Sequence, residues 1–211
     1  MDDGTADRSE PTISAIILAG GQSRRLGKDK CLLDIGGRSL LAHTVDKLAA
    51  VSDDLIVVTS DPTYYELLDS AARIVPDQKP GMGSLMGIYS GLKDAHYAHA
   101  LVVACDMPFL SLALIRHMLP LADAYDVVIP RLDGMLEPLH AIYGKSCLPY
   151  MLQHLDQGQR RIISFFDRVS VRYVEKQEVD RFDPSHLSFV NVNTPQDWIR
   201  VQELLAQQEP A

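Results

Sequence analysis

One stretch near the start of the chain decides the fold: Ser14-Ala-Ile-Ile-Leu-Ala-Gly-Gly-Gln-Ser-Arg-Arg-Leu-Gly-Lys-Asp-Lys30. It begins as a short apolar run, which predicts a buried strand of a parallel sheet. It then breaks at Gly20-Gly21 and continues as a loop with four cations. These are Arg24, Arg25, Lys28 and Lys30. Glycines let backbone amides turn toward a ligand without a Cβ in the way, and aligned amides attract anions. Together with the cations they indicate a polyphosphate site.

This loop differs from the two commonest nucleotide-binding signatures. It lacks the terminal Gly-Lys-Ser/Thr of a P-loop and the Gly-x-Gly-x-x-Gly of a dinucleotide fold. The alternative is a surface loop whose basic residues are merely solvated. That alternative does not explain why a glycine pair, a basic cluster and an apolar run occur together, so we favour a phosphate-binding loop.

Apolar runs and helical repeats alternate along the rest of the chain, which predicts an α/β fold. Further strands are expected at Leu55–Val58, Arg73–Val75, Ala100–Cys105 and Val171–Val174. We expect a single-domain, doubly wound, mostly parallel sheet of Rossmann-like architecture. The Asp133-Gly134 pair between two apolar runs predicts an antiparallel hairpin within it. Residues 1–11 are expected to be a disordered tail, and residues 12–211 to form the domain.

Composition limits the function classes. The 211 residues carry a net charge of −8, which argues against nucleic acid and anionic membranes as partners. No apolar run approaches the roughly 20 residues that span a bilayer, and the polar start lacks the features of a signal peptide. The cysteines Cys31, Cys105 and Cys147 are odd in number and lack metal-binding spacing, so reduced thiols are expected. We therefore predict a cytoplasmic protein that binds a small anionic ligand.

Three candidate elements follow predicted strands: the Gly20 loop, the loop from Pro76 to Gly83, and Asp106. Ligands of open parallel sheets bind outside the carboxyl ends of the strands, so these elements should meet in one crevice. Asp106 is the candidate metal ligand, because Mg²⁺ prefers oxygen and usually takes one or two protein carboxylates. The alternative is that Asp106 caps the following turn, but Ser111 is better placed to cap that helix.

The glycine loop resembles the Leu-Ala-Gly-Gly-x-Ser-x-Arg-Met-Gly-x-Asp-Lys signature of nucleotidyltransferases. Within that superfamily it is most similar to molybdenum cofactor guanylyltransferases of the MobA type. The resemblance implies nucleotide binding by Leu18, Ala19, Gly20, Gly21, Ser23, Arg25 and Lys30, with Leu26 where Met is usual. It also implies that Arg25, Lys30 and Asp106 are catalytic. Asp106, in Cys105-Asp106-Met107-Pro108, would hold Mg²⁺, with Mn²⁺ as the alternative metal.

A second family segment, an Asp followed by Gly-Pro-Leu-x-Gly, is similar to Asp77 and Gly83-Ser84-Leu85-Met86-Gly87. The resemblance implies that Asp77 and Gly83 bind the nucleotide and that Gly87 contacts the acceptor. Ser84 replaces the proline, and since serine is a good N-cap, a helix is still expected to start there. A plain connecting loop remains the alternative. The preference for GTP over CTP rests on the resemblance of the Leu-Ala-Gly-Gly form.

Segments nearer the C-terminus supply acceptor candidates. Asn191 and Asn193 match the family's Asn-x-Asn-Thr-Pro, and alternation predicts both side chains on one face of a strand. Arg160 and Arg161 resemble the family's Gly-x-Arg-Arg and are candidates for contact with an anionic acceptor, with solvated surface charges as the alternative. His140 lies in a predicted strand between apolar neighbours and is expected to be a satisfied core histidine.

The resemblance extends from Ala15 to about Leu205. It implies a Mg²⁺-dependent enzyme that transfers GMP from GTP to the terminal phosphate of Mo-molybdopterin and releases pyrophosphate. Molybdoenzymes or their chaperones would be further partners. The alternatives are a CTP-using molybdopterin cytidylyltransferase, another nucleotidyltransferase, or a non-catalytic nucleotide-binding maturation partner. The presence of both Lys30 and Asp106 argues against the last of these.

Overall fold

A computed structural model describes residues 13–20, 30–61, 63–64, 68 and 72–208. The predicted tail, residues 1–11, lies outside these ranges. So does most of the glycine loop, residues 21–29.

The strands of the described residues are β1 (Ser14–Leu18), β2 (Asp34–Ile35), β3 (Arg38–Ser39), β4 (Asp54–Thr59), β5 (Arg73–Pro76), β6 (His99–Ala104), β7 (Val127–Leu132), β8 (Met135–Leu136), β9 (His140–Gly144) and β10 (Val171–Glu175). β2 and β3 form a small hairpin, and the other strands form one sheet in the order β10-β7-β9-β6-β1-β4-β5, with β8 on β7. β1 is parallel to β4 and β6, β4 to β5, and β7 to β10. β9 is antiparallel to β6 and β7, and β8 to β7. The predicted mostly parallel sheet with an antiparallel hairpin is confirmed.

The α-helices are α1 (Leu40–Leu48), α2 (Ser84–Asp94), α3 (Leu112–Met118), α4 (Leu148–Asp156), α5 (Lys176–Phe182) and α6 (Pro195–Gln208). Short 3₁₀ helices occupy Lys30–Leu32, Leu119–Asp123, Lys145–Cys147, Ile162–Arg168 and Leu187–Phe189. The predicted cap at Ser111 is confirmed, and a second serine cap occurs at Ser39. The Ser39 hydroxyl accepts the Ala42 N–H at 3.1 Å, and the Ser111 hydroxyl accepts the Leu114 N–H at 3.2 Å. Each cap satisfies a backbone donor that the first helical turn leaves open.

The core lies on both faces of the sheet because successive strand residues point to opposite sides. Ile16 and Val102 face the layer that contains α2 and α4. Ile17 and Val103 face the layer that contains α1, α3 and α5. β1 and β6 therefore carry apolar side chains on both faces, as expected for a parallel sheet covered by helices on both sides. No helix of the described residues is long and apolar enough to cross a membrane.

Three local expectations are wrong. Residues Phe189–Asn193 form no strand: a 3₁₀ turn ends at Phe189, and the backbone N–H of Val192 bonds to the Asp106 carbonyl rather than to a strand ladder. Helix α2 begins at Ser84 as expected, but Gly83 and not Ser84 is its N-cap. Cys31 and Cys105 form a disulfide rather than two reduced thiols, because pairing depends on proximity in the fold and not on spacing in the sequence.

Candidate active site

A cleft of about 950 Å³ lies where β1, β4 and β6 end, which is within the usual size range of small-molecule sites. The predicted residues on its walls are Leu18, Ala19, Gly20, Lys30, Asp77, Gly83, Gly87 and Asp106. The Gly20 segment, the Asp77 loop and Asp106 thus meet in one crevice at the carboxyl ends of the strands, as the topology predicted. Gly21, Ser23 and Arg25 lie outside the described residues.

The end of β1 is fixed by both neighbouring strands. The Ala19 N–H donates to the Val58 carbonyl at 3.0 Å, and the Cys105 N–H donates to the Leu18 carbonyl at 3.2 Å. These bonds carry the parallel ladder one residue beyond the strand. They hold the start of the glycine loop between the ends of β4 and β6, at the floor of the cleft.

Lys30 and Asp106 are 76 residues apart in the sequence and in contact in the fold. Lys30 Nζ lies 3.2 Å from Asp106 Oδ2 and donates to Asn193 Oδ1 at 2.6 Å. Both charged side chains are largely screened from solvent, with 18% and 17% exposed. An ammonium and a carboxylate in such a position interact more strongly than in open water, and their geometry is restricted by packing.

Three elements position this group. Lys30 opens a 3₁₀ turn, and Asp106 lies two residues past β6. The Val192 N–H donates to the Asp106 carbonyl at 3.0 Å, which brings the segment before α6 to the strand end. Asp197 then accepts the N–H groups of Asn193 at 2.9 Å and of residue 194 at 2.8 Å. The bond from Asn193, together with those from residue 194, holds the pKa of Asp197 below its usual value.

The Asp77 loop forms the opposite wall. Its backbone is tied to β4 by the Asp77 N–H on the Thr59 carbonyl at 3.4 Å, and Asp77 Oδ1 accepts the Lys79 N–H at 3.1 Å. Gly83 has φ +85°, a conformation that L side chains rarely adopt, so glycine is required there. Gly83 makes no side-chain cap bond to α2, and Gly83 and Ser84 at the start of that helix line the cleft. This end of the helix favours an anion.

Gly87 faces β1 on the first turns of α2. A Cβ built at Gly87 would lie 3.3 Å from Leu18 Cδ2, so the helix packs closely on the end of β1. Leu18 and Gly87 both line the cleft. Glycine at this position therefore allows α2 to pack closely against the end of β1.

The other residues predicted to contact the acceptor lie further from the Lys30–Asp106 pair or make different contacts. The Arg160 guanidinium donates to the Gly81 carbonyl at 3.3 Å and so joins the Asp77 loop from outside. The Asn191 amide donates to the Phe189 carbonyl within its own turn. None of the four candidates Arg160, Arg161, Asn191 and Asn193 is among the described residues that line the cleft, but Asn193 bonds to Lys30. The structure therefore brings Asn193, but not Asn191 or Arg161, to the Lys30–Asp106 pair.

Residues at the end of β4 were missed by the sequence analysis. Thr59, Ser60, Asp61 and Tyr64 line the cleft. The Thr59 hydroxyl accepts the Asp61 N–H at 3.1 Å, which turns the chain at the strand end. These residues could have been predicted from the sequence, because Thr59-Ser60-Asp61 follows a predicted strand. Ligands of open parallel sheets bind outside the carboxyl ends of such strands.

His140 is buried on β9, as expected, but it is not satisfied. Neither ring nitrogen has a hydrogen-bond partner among the described residues. Burial lowers the pKa of His140 to about 4, against a smaller opposite effect of Asp183. The ring packs edge-on against Phe189, with centroids 5.2 Å apart. His140 is therefore a neutral core residue and not a proton donor for the cleft.

The carboxylate of Asp106 fits a divalent cation that is also held by substrate phosphates. Oδ2 accepts from Lys30, and the carboxylate lies on the lining of the cleft. Mg²⁺ usually takes one or two protein carboxylates and completes its shell with phosphates and water. Within the described ranges there is no group of three or more His, Cys, Asp or Glu that would hold a metal by itself. The donor set suits a metal that arrives with a nucleotide.

The comparisons with known proteins agree with this geometry. The model of the MobA-like NTP transferase domain matches residues 15–173. A probable molybdenum cofactor guanylyltransferase of Pelotomaculum thermopropionicum is 36% identical over 189 residues, covering 90% of this chain and 91% of that protein. A molybdenum cofactor guanylyltransferase of Desulfosudis oleivorans is 35% identical over 187 residues, covering 88% and 92%.

A solved structure shows the same architecture. The crystal structure of molybdopterin-guanine dinucleotide biosynthesis protein A from Archaeoglobus fulgidus has a TM-score of 0.80 and 30% identity, covering 93% of this chain and 100% of that one. Family model, relatives and structure agree over most of the length. The chain belongs to the MobA-like NTP transferase family.

Proposed function

We propose that this protein transfers GMP from GTP to the terminal phosphate of Mo-molybdopterin, forming the guanine dinucleotide cofactor and pyrophosphate. The observation that carries the proposal is the Lys30–Asp106 contact at 3.2 Å on the wall of the cleft. The relatives named molybdenum cofactor guanylyltransferase support the choice of nucleotide and acceptor. In this reaction an acceptor phosphate oxygen attacks the α-phosphorus of GTP, and the bond to the pyrophosphate oxygen breaks.

Negative charge moves onto the bridging oxygen and the pyrophosphate during this step. Lys30 would place its ammonium group against that charge, and Asn193 would hold the ammonium in position through the 2.6 Å bond. Arg25 is proposed as a second cation on the same phosphates. Catalysis by positioned charges needs no covalent protein intermediate.

Asp106 is proposed as the ligand of a bound Mg²⁺, with Mn²⁺ as the alternative. The metal would neutralise phosphate charge and align the acceptor with the α-phosphate when bound. Lys30 occupies one carboxylate oxygen of Asp106, so the ammonium and the cation would share this residue. The approach of the triphosphate gives the ammonium a second anionic partner.

Asp77 is proposed to select guanine. A carboxylate accepts from both the ring N–H and the exocyclic amino group of guanine, and cytosine lacks that donor pair. Asp77 Oδ1 is already bonded to the Lys79 N–H, so the carboxylate has a defined orientation. Leu18, Ala19, Gly20, Gly21, Ser23 and Gly83 are proposed as further nucleotide contacts, and Gly87, Arg160, Arg161, Asn191 and Asn193 as acceptor contacts.

Substitution Asp77→Asn tests base selection. Asparagine keeps the size and the turn but presents an amide donor to a guanine donor, which a site built on hydrogen bonds rejects strongly. We expect the ratio of kcat/KM for GTP over CTP to fall by about 100-fold, the scale for an unpaired polar group in such a site. The control is Asp61→Asn at the neighbouring strand end. An unchanged ratio in Asp77→Asn would show that the base is selected elsewhere.

The proposed partners and location follow from the proposed substrates. Molybdoenzymes or their chaperones would receive the product, and the site of action would be the cytoplasm. The rival activities are cytidylyl transfer to the same pterin and nucleotidyl transfer to another phosphate. The rival of another class is a nucleotide-binding maturation partner without catalysis.

The test is product formation in competition. The protein is incubated with Mg²⁺, molybdenum-loaded molybdopterin and equal concentrations of GTP, CTP and ATP, and the dinucleotide is identified by mass spectrometry. We expect the guanine dinucleotide together with an equal amount of pyrophosphate. A cytosine product would move the protein to the cytidylyl reaction, and nucleotide binding without any product would favour the maturation partner.

A further inference from the structure

Two cysteines are bonded directly beside the two candidate catalytic residues. The Cys31–Cys105 disulfide joins Cα atoms 5.8 Å apart across 74 residues of sequence. Cys31 immediately follows Lys30, and Cys105 immediately precedes Asp106. The covalent link therefore ties together the two segments whose side chains form the 3.2 Å contact in the cleft.

The disulfide lies against the cleft. Cys31 and Cys105 both belong to the cleft lining, although only 3% and 7% of their surfaces are exposed. The third cysteine is different: Cys147 is fully buried in the opposite layer. Burial, with a smaller effect of Asp126, raises the pKa of Cys147 to about 12. Since the thiolate is the form that exchanges, Cys147 is a built-in control.

Breaking this bond changes a distance next to the catalytic pair. A disulfide holds two sulfurs about 2 Å apart, whereas non-bonded atoms of this size settle at about 3.5–4 Å. Both residues are packed in the core, so the extra separation must be taken up by the segments that they anchor. Those segments begin at Lys30 and at Asp106, and a displacement of about 1 Å at reacting groups can cost 100-fold in rate.

We propose that Cys31–Cys105 is a reversible redox modification site that sets the geometry of the Lys30–Asp106 pair, with the disulfide as the assembled state. The reagents are dithiol reductants and the corresponding disulfides. A thiolate of the dithiol attacks one sulfur of the Cys31–Cys105 bond, which forms a mixed disulfide and releases the other cysteine. The second thiol of the reagent then attacks the reagent sulfur of the mixed disulfide and releases the remaining cysteine. Two electrons and two protons pass to Cys31 and Cys105, and the reagent leaves as a disulfide. The reverse exchange restores the bond.

The cytoplasmic location proposed above gives this chemistry a context. Disulfides in that compartment are usually transient and catalytic or redox-sensing, because thiols there are kept reduced. A bond placed between two site residues is suited to such a role. A purely stabilising bond would not need to join the neighbours of Lys30 and Asp106.

The first experiment poises the purified protein in buffers with different ratios of reduced to oxidised dithiothreitol. Free thiols are alkylated, and the fraction of the Cys31–Cys105 disulfide is counted by mass spectrometry. Guanylyl transfer is measured on the same samples. We expect turnover to fall about tenfold on reduction, within the range that a misplaced group costs, and to recover on reoxidation in proportion to the disulfide. Equal turnover in the two states would overturn the proposal.

Variants separate the bond from a general effect of the buffer. Cys31→Ala and Cys105→Ala should both show the turnover of the reduced wild type in every buffer. Cys147→Ala should respond as the wild type does. A redox response that persists in folded Cys31→Ala or Cys105→Ala would overturn the assignment, and the wild-type titration needs no variant to fold.

The turnover effect rests on the proposed function. A second readout, chemical labelling of Lys30, does not depend on that function. Lys30 is labelled with acetic anhydride in both redox states, with exposed Lys93 as the internal reference. The disulfide form holds the Lys30 ammonium on Asp106 and Asn193, so Lys30 should react faster after reduction. If neither state makes product, the proposed function fails, and equal labelling of Lys30 in the two states then overturns this inference as well.

Discussion

Lys30 donates from one ammonium group to Asp106 and to Asn193, residues from the strand end and from the segment before the last helix. Sequence reasoning could nominate Lys30 and Asp106 separately, since one ends a basic loop and the other follows an apolar strand. It could not show that Asn193 bonds to Lys30 while Asn191 turns back on Phe189. That difference depends on the irregular backbone between Phe189 and Asn193. The alternation of apolar residues there wrongly predicted a strand.

His140 gives a prediction about pH. Its folded pKa of about 4 lies below the ordinary value of 6.5 because the ring is buried. Between these values the unfolded chain binds a proton that the folded chain does not, so the free energy of unfolding falls as the pH falls through this window. Once the pH is below both pKa values, this effect lowers the free energy of unfolding by about 3 kcal/mol. We expect urea unfolding of His140→Leu to show a weaker loss of stability from pH 7.5 to pH 4.5 than the wild type.

The control for this prediction is His154→Gln, which removes an exposed imidazole bonded to Gln159 and leaves the buried ring in place. It should keep the wild-type pH dependence. If His140→Leu loses as much stability on acidification as the wild type does, another buried group is responsible.

At the scale of elements, β1, β4 and β6 were predictable because they are short, largely apolar runs buried on both faces. The caps at Ser39 and Ser111 were predictable from their residue type. The start of α2 at Ser84 was predictable too, but its N-cap was not, because the capping position is Gly83 at φ +85° and not the serine that follows. The order of the strands, with β9 inserted antiparallel between β6 and β7, also required the structure.

The contact of α2 with the sheet gives a second prediction. A Cβ at Gly91 would lie 2.8 Å from Ile16 Cγ2 and 2.9 Å from Val58 Cγ2, closer than real Cβ atoms approach. Alanine gains up to about 1 kcal/mol over glycine in a helix, but overpacking of a core costs about 1–3 kcal/mol. We expect Gly91→Ala to lower the free energy of unfolding by about 1–2 kcal/mol on balance, measured by urea denaturation.

Gly87→Ala on the same helix is the matched control. Its Cβ would meet only the end of the Leu18 side chain at 3.3 Å, which can move. It should therefore lose less stability than Gly91→Ala. Wild-type stability in Gly91→Ala would contradict the close packing of α2 on β1 and β4.

At the scale of the whole molecule, the cleft depends on segments that are distant in sequence. Lys30, Asp77 and Asp106 line the cleft because β6, β1, β4 and β5 are adjacent and parallel, and Asn193 reaches them through its bond to Lys30. The strand-end rule predicted that meeting for the first three. It could not predict the Cys31–Cys105 bond, since a pairing across 74 residues follows only from the packed fold.

The central claim is that Lys30 and Asp106 act as one catalytic unit in guanylyl transfer. The most direct test is the turnover of Lys30→Met, Asp106→Asn and the double variant, with Lys93→Met on the far end of α2 as the control. Each single substitution should lower kcat/KM by about 100-fold or more, the cost of removing one preorganised charge partner. The double variant should lose much less than the product of the two, because residues in contact are coupled. Near-wild-type turnover in either single variant, or fully multiplicative losses in the double variant, would contradict the account.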